Sequence, residues 1–128
     1  MSTSCQSILV VEDDEAICQA IKELLELEGY SVVTARNGKE ALDLIKTLTH
    51  PCLILLDLML PVMNGWELLN HLKGCSSDML ASIPVVITSA AGTAAMSAAK
   101  QAEGYIKKPI DIDILLRMVQ KYCKAAEK

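Results

Sequence analysis

A chain of 128 residues, 52% hydrophobic and 22% charged, has the length of one ordinary domain and a composition able to bury a core without staples. A net charge of -4 with no clustered Lys or Arg face lacks the electrostatic footprint of a nucleic-acid binder, and no apolar run approaches membrane-spanning length. Direct nucleic-acid and membrane partners are therefore excluded from the expected functions.

Met1 to Ser7 shows no basic, apolar and small-residue succession of a signal peptide, so a cytoplasmic location is expected. The five cysteines, Cys5, Cys18, Cys52, Cys75 and Cys123, are odd in number, scattered and free of CxxC spacing. Neither a disulfide framework nor a zinc site is expected, only buried or idle thiols in a reducing cytosol.

Ile8 to Val11 form an apolar run that stops at Glu12, Asp13, Asp14 and Glu15, which predicts a buried strand delivering carboxylates to its C-terminal end. Ala16, Ile17, Ala20, Ile21, Leu24 and Leu27 then repeat at helical spacing, and Gly29 closes that helix. Asp14 and Glu15 read as helix-start charges favoured by the dipole. A second strand is predicted over Ser31 to Ala35. Asn37 caps a second helix with Ala41, Leu42, Ile45 and Leu48 on its apolar face.

Leu53 to Leu56 are unbroken apolar residues, as in a strand buried on both faces, and the run ends at Asp57. Pro61, Asn64 and Gly65 break the strand, and Asn64 can cap a third helix bearing Leu68, Leu69 and Leu72. A polar loop from Gly74 to about Ser82 leads to a fourth strand, Val85 to Ile87, ending in Thr88 and Ser89. An alanine-rich stretch over 93–103 predicts a short fourth helix. Gly104 to Lys107 make a fifth strand ending in Lys108 and Pro109. Asp111 or Asp113 caps a fifth helix with Leu115, Met118, Val119 and Tyr122 on one face.

Five strands alternating with five helices predict a doubly wound α/β domain over 1–128, its parallel sheet in the flavodoxin-like order 2-1-3-4-5. Ligands bind such sheets outside the carboxyl ends of the strands, at the switch point between strands one and three. That order brings Glu12, Asp13 and Asp57 together, with Ser89 and Lys108 beside Asp57. Like charges held this close repel unless a cation intervenes, and Mg2+, a hard ion taking carboxylate and carbonyl oxygens and waters, is the natural one. Asp57 would attack phosphorus in line, while Lys108 and Ser89 offset the negative charge on the transferred group. A carboxylate is ionised at neutral pH, so no general base is needed.

The segments Val-Val-Glu-Asp-Asp after strand one, Leu-Leu-Asp-Leu-Met-Leu-Pro with Asn64 and Gly65 around Asp57, Ser89 followed by Ala90, and Tyr-Ile-Lys-Lys-Pro at 105–109 together carry a resemblance. From end to end the chain resembles the receiver domain of two-component response regulators. The resemblance implies that Asp57 is the phosphoacceptor, that Asp13 ligates magnesium directly and Glu12 through water, and that the backbone carbonyl of Met59 completes the protein ligands. It implies that Ser89 is the switch hydroxyl, that Tyr105 is the switch aromatic whose ring turns inward, and that Lys108 precedes a cis proline. The implied partners are a sensor histidine kinase or phosphotransfer protein and a downstream protein reached through the face of the fourth helix, fifth strand and fifth helix. The implied function is a phosphorelay signalling switch and not an enzyme, apart from self-catalysed phosphotransfer to Asp57 and its dephosphorylation.

Two other classes fit the fold. A small aspartyl-phosphate hydrolase would carry a second acid two residues after the nucleophile, where Met59 stands. A flavin- or nucleotide-binding module would carry a glycine-rich phosphate loop, which the turns after strands one and three lack. His50 and His71 lie in no cluster and are expected at the surface. Trp66 is expected in third-helix packing or at the surface, Thr88 within its strand, and Lys107 facing solvent.

Overall fold

The computed structural model describes residues 7–47, 51–58, 63, 65–73, 83–90 and 102–123. Five strands, β1 (Ser7–Val11), β2 (Ser31–Ala35), β3 (Leu53–Asp57), β4 (Val85–Ser89) and β5 (Gly104–Lys107), form one sheet in the order β2-β1-β3-β4-β5. Every pairing is parallel. Four helices are described: α1 (Glu15–Leu27), α2 (Gly38–Thr47), α3 (Gly65–Lys73) and α4 (Ile112–Tyr122). The fourth of the five expected helices, over 93–103, lies outside the described residues except for Ala102 and Glu103. Those two run as a non-helical bend into β5.

Alternation along the strands separates two cores. Leu9, Val11, Ile54, Leu56, Val85 and Ile87 point to the side covered by α2 and α3, where they meet Ala41, Ile45, Leu68, Leu69 and Leu72. Ile8, Val10, Leu53, Leu55, Val86 and Ile106 point to the other side, against Ile21 and Leu25 of α1 and Leu115 and Val119 of α4. Both faces of β3 are thus buried, which is why its sequence is a continuous apolar run and not an alternating one.

One expectation about α1 needs correction. Leu27, expected on the inner face, is 85% exposed, whereas Leu25 is fully buried. At about 100° per residue, Leu25 continues the Ile17–Ile21 row four residues on, and Leu27 falls roughly 240° from Ile21. The helix ends are as expected. The Asp14 side chain accepts from the N–H of Ile17 and caps α1, while Gly29 follows the helix at φ +95°, a conformation that glycine adopts without penalty. Of the two candidate caps of the last helix, Asp111 is the one, its side chain accepting from the N–H groups of Asp113 and Ile114.

The expectation of unpaired thiols also fails. Cys52, just before β3, and Cys123, which caps the C-terminus of α4, form a disulfide with a Cα–Cα distance of 5.8 Å. Their separation of 71 residues hid the pairing, since only the sheet order brings the start of β3 beneath the end of the last helix. By chain entropy alone, closing a loop of that length stabilises the fold by roughly 4 kcal/mol. Cys18 is the free cysteine among the described residues, and burial followed by the charge of Glu12 pushes its thiol pKa up, away from reactivity.

Candidate functional site

Parallel pairing fixes which strand ends meet. β1 and β3 run with Val11 opposite Leu56, so the residues one step further on, Glu12 and Asp57, leave the sheet side by side. β3 pairs Asp57 with Thr88, and β4 pairs Ser89 with Lys107, which brings Lys108 in from the far side. Glu12, Asp57 and Ser89 are buried at 3%, 4% and 1% exposure, whereas Asp13 stands in solvent.

Lys108 ties these ends together. Its Nζ donates to Oε1 of Glu12 at 2.8 Å and to Oδ2 of Asp57 at 3.3 Å. The other oxygen of Glu12 accepts from the backbone N–H of Asp14 at 3.2 Å. Burial raises the pKa of the Glu12 carboxyl, and the charge of Asp57 adds to the rise, while the hydrogen bond from Lys108 pulls the other way without cancelling it. For Lys108 burial acts to lower the pKa, but the hydrogen bond to Glu12 and the charge of Asp57 outweigh it and hold the ammonium above its usual value. One cation therefore serves two buried carboxylates.

The expected acidic trio is assembled. Glu12, Asp13 and Asp57 each offer a carboxylate oxygen, and these oxygens lie within 4.8 Å of one another. Opposite ligands of a magnesium ion stand about 4.2 Å apart, so the cluster has the scale of one hard, oxygen-ligated cation. The donor set fits the ion: all oxygen, two members buried and one in solvent, which leaves positions for water and a phosphoryl oxygen. Both oxygens of Glu12 accept a hydrogen bond, one from Lys108 and one from the Asp14 N–H. Met59, expected to add a carbonyl, lies outside the described residues, as does Asn64.

The Ser89 carbonyl accepts from two groups: the Lys108 N–H at 3.0 Å and the Tyr105 hydroxyl at 3.3 Å. Its role as an acceptor had no signal in the sequence. The Tyr105 ring is half-buried against the core on the α2–α3 side of the sheet. The Lys108–Pro109 peptide bond is cis, as the resemblance implies.

Gly65 was legible only as a strand breaker, but its place is tighter than that. Its N–H donates to the Leu58 carbonyl at 3.0 Å, and a Cβ there would stand 2.5 Å from the Asp57 carbonyl oxygen and 2.6 Å from the Leu58 Cα. Only glycine lets α3 start against the end of the acceptor strand. The remaining candidates fall outside the cluster. Thr88 is buried within its strand, and Lys107 and His71 are exposed. Glu15 pairs with Arg36 at 2.6 Å on the surface. His50 and the Trp66 side chain lie outside the described residues.

Comparison with known proteins gives a consistent result. The profile of the family described as response regulator receiver domain matches residues 8–120. The polar-differentiation response regulator DivK of Brucella anthropi is 36% identical over 120 residues, covering 91% of this chain and 95% of the relative. Among solved structures, the receiver domain of the Francisella response regulator 1452 superposes with a TM-score of 0.81 at 33% identity, covering 91% of this chain and 95% of the other. The response regulator TrrA of Thermotoga maritima, solved in complex with Mg(2+)-BeF, superposes at 0.80 with 29% identity, covering 91% and 98%.

Proposed function

The chain belongs to the response regulator receiver family, a phosphoacceptor switch of two-component signalling, and on that premise we propose that Asp57 is the residue that accepts the phosphoryl group. The donor is the phosphohistidine of a sensor kinase or a phosphotransfer protein. The observation that carries the reading is the Lys108 ammonium, held between two buried carboxylates at the open end of the sheet, with Asp13 in solvent beside them.

An Asp57 oxygen attacks phosphorus, and the P–N bond of the donor breaks, with its electron pair passing to the imidazole nitrogen. Glu12, Asp13 and Asp57 would hold Mg2+, which would supply positive charge against the negative charge of the phosphoryl group. Lys108 supplies a second positive charge on the other side of Asp57. Its bond to Glu12 keeps the ammonium in place before the phosphoryl group arrives. An apolar groove lined by Ile17, Ile21, Leu24, Pro109, Ile110 and Leu115 opens beside Lys108 and gives a donor protein ground to rest on.

Once phosphorylated, Asp57 draws the Ser89 hydroxyl toward the new oxygens. That movement shifts the Ser89 backbone, on whose carbonyl both Tyr105 and Lys108 depend. The altered face of β5 and α4 then presents itself to a downstream protein in the cytoplasm. Catalysis goes no further than self-phosphorylation and dephosphorylation.

The test is incubation with a small acyl phosphate, with and without a magnesium chelator. A single acid-stable, base-labile phosphate that appears only with magnesium supports the reading. Continuous release of inorganic phosphate with no retained adduct would identify a hydrolase instead.

A further inference from the structure

The Cys52–Cys123 bridge lies at the end of the sheet opposite the phosphoacceptor site. Cys52 immediately precedes β3 and Asp57 ends it. Five residue steps along a strand are about 16 Å, so the two sites share a strand without touching. The two halves of the bridge differ in access: Cys52 is partly exposed, whereas Cys123 is 1% exposed. Each half is also held by bonds that do not involve sulfur. The Cys52 N–H donates to the Ser7 carbonyl at 2.8 Å, the Cys123 N–H to Val119 at 2.7 Å, and the Cys123 carbonyl accepts from the Tyr30 hydroxyl at 3.3 Å.

From this geometry we propose that Cys52–Cys123 is a reversible thiol–disulfide exchange site that clamps the C-terminal end of α4 to the sheet, with a protein dithiol as its reductant. The reductant thiolate attacks Sγ of Cys52, the accessible sulfur, and the disulfide breaks with Cys123 leaving as a thiolate that takes up a proton. The second thiol of the reductant then displaces Cys52, so that two electrons pass to this chain and the reductant becomes a disulfide. Because hydrogen bonds and the packing of Leu115 and Val119 hold both backbones, the reduced thiols stay adjacent and the bridge can re-form with an oxidised dithiol. A bridge with that property in a reducing compartment is a sensor and not a staple. What changes with redox state is the freedom of the last turn of α4. The proposal stands independently of any role for Asp57.

The test exposes folded protein to oxidised glutathione, then to a protein dithiol such as thioredoxin, quenches each sample in acid and counts its thiols by alkylation in denaturant. All five cysteines should alkylate after reduction and two fewer before it, with peptide mapping placing the pair at Cys52 and Cys123. Reduction should lower the melting temperature by on the order of 10 °C and speed amide exchange at the C-terminal turn of α4. Cys52→Ser should behave as the reduced protein and ignore the dithiol. If that variant does not fold, reduced and alkylated wild type supplies the same comparison. Two results would overturn the proposal: Cys52 and Cys123 alkylating fully after the oxidant, or a bridge that the dithiol reduces only after the protein is unfolded.

Discussion

Nζ of Lys108 lies 2.8 Å from Oε1 of Glu12, closer than to the Asp57 oxygen it also reaches at 3.3 Å. The lysine is therefore anchored by the residue next to the acceptor and lent to the acceptor itself. Removing it leaves two buried carboxylates facing each other. Lys108→Met should destabilise the protein in the absence of magnesium by about 2 kcal/mol at neutral pH, because one partner of a buried pair is lost and the other charges are left uncompensated. Urea denaturation checks this, and magnesium should recover part of the loss.

Asp13 carries no such burden, since it is exposed. Asp13→Ala should weaken magnesium binding at least tenfold in calorimetric titration, because the remaining ligands cannot hold an ion that dehydrates reluctantly. The metal-free variant should melt at the same temperature as wild type or slightly higher, since one like charge leaves the cluster. A clearly lower melting temperature would show that Asp13 has a structural part.

Alkaline stability follows from two groups. Burial, then the charge of Glu28, raises the pKa of the Tyr30 phenol above 10.0, and Lys108 is raised above 10.5. A folded-state pKa above the unfolded value contributes stability that is complete below the unfolded value and disappears as pH climbs through the folded one. Both groups should thus support the fold fully up to about pH 10 and lose that contribution above it. Tyr30→Phe, which removes the donor to the Cys123 carbonyl, should cost about 1 kcal/mol at pH 7 and make the alkaline decline shallower. Denaturant midpoints measured across the range decide it.

Gly65→Ala should be far more damaging than Gly29→Ala. At Gly65 the added methyl meets backbone of the acceptor strand, whereas at Gly29 it meets nothing and only the positive φ is strained. Costs of roughly 3 and 1 kcal/mol are expected by thermal unfolding. The Gly65 change should also slow phosphorylation, since what must give way is the end of β3 that holds Asp57.

The site was legible because parallel strands buried on both faces write themselves as apolar runs, and each run stops at the residue it delivers. Leu53 to Asp57 and Val85 to Ser89 show this directly. The βα alternation predicts a parallel sheet, the expected order for five such strands is the one observed, and the meeting of Glu12, Asp57 and Lys108 follows from that order. Three features were not legible, each for a reason of geometry. The Cys52–Cys123 bridge joins residues related only through the sheet order. The preference of Lys108 for Glu12 depends on the reach of a side chain. The inner face of α1 turns on whether Leu25 or Leu27 continues the Ile21 row, which an apolar stretch with both leaves open. Of the alanine-rich segment over 93–103, Ala102 and Glu103 are the described residues.

The most direct measurement is the intact mass of wild type and Asp57→Asn after magnesium and a small acyl phosphate, run beside circular dichroism of both. The amide is nearly isosteric with the carboxylate but cannot attack phosphorus. Wild type should gain one base-labile phosphoryl group while the variant, folded alike, gains none. Full incorporation in Asp57→Asn would place the acceptor elsewhere and contradict the account.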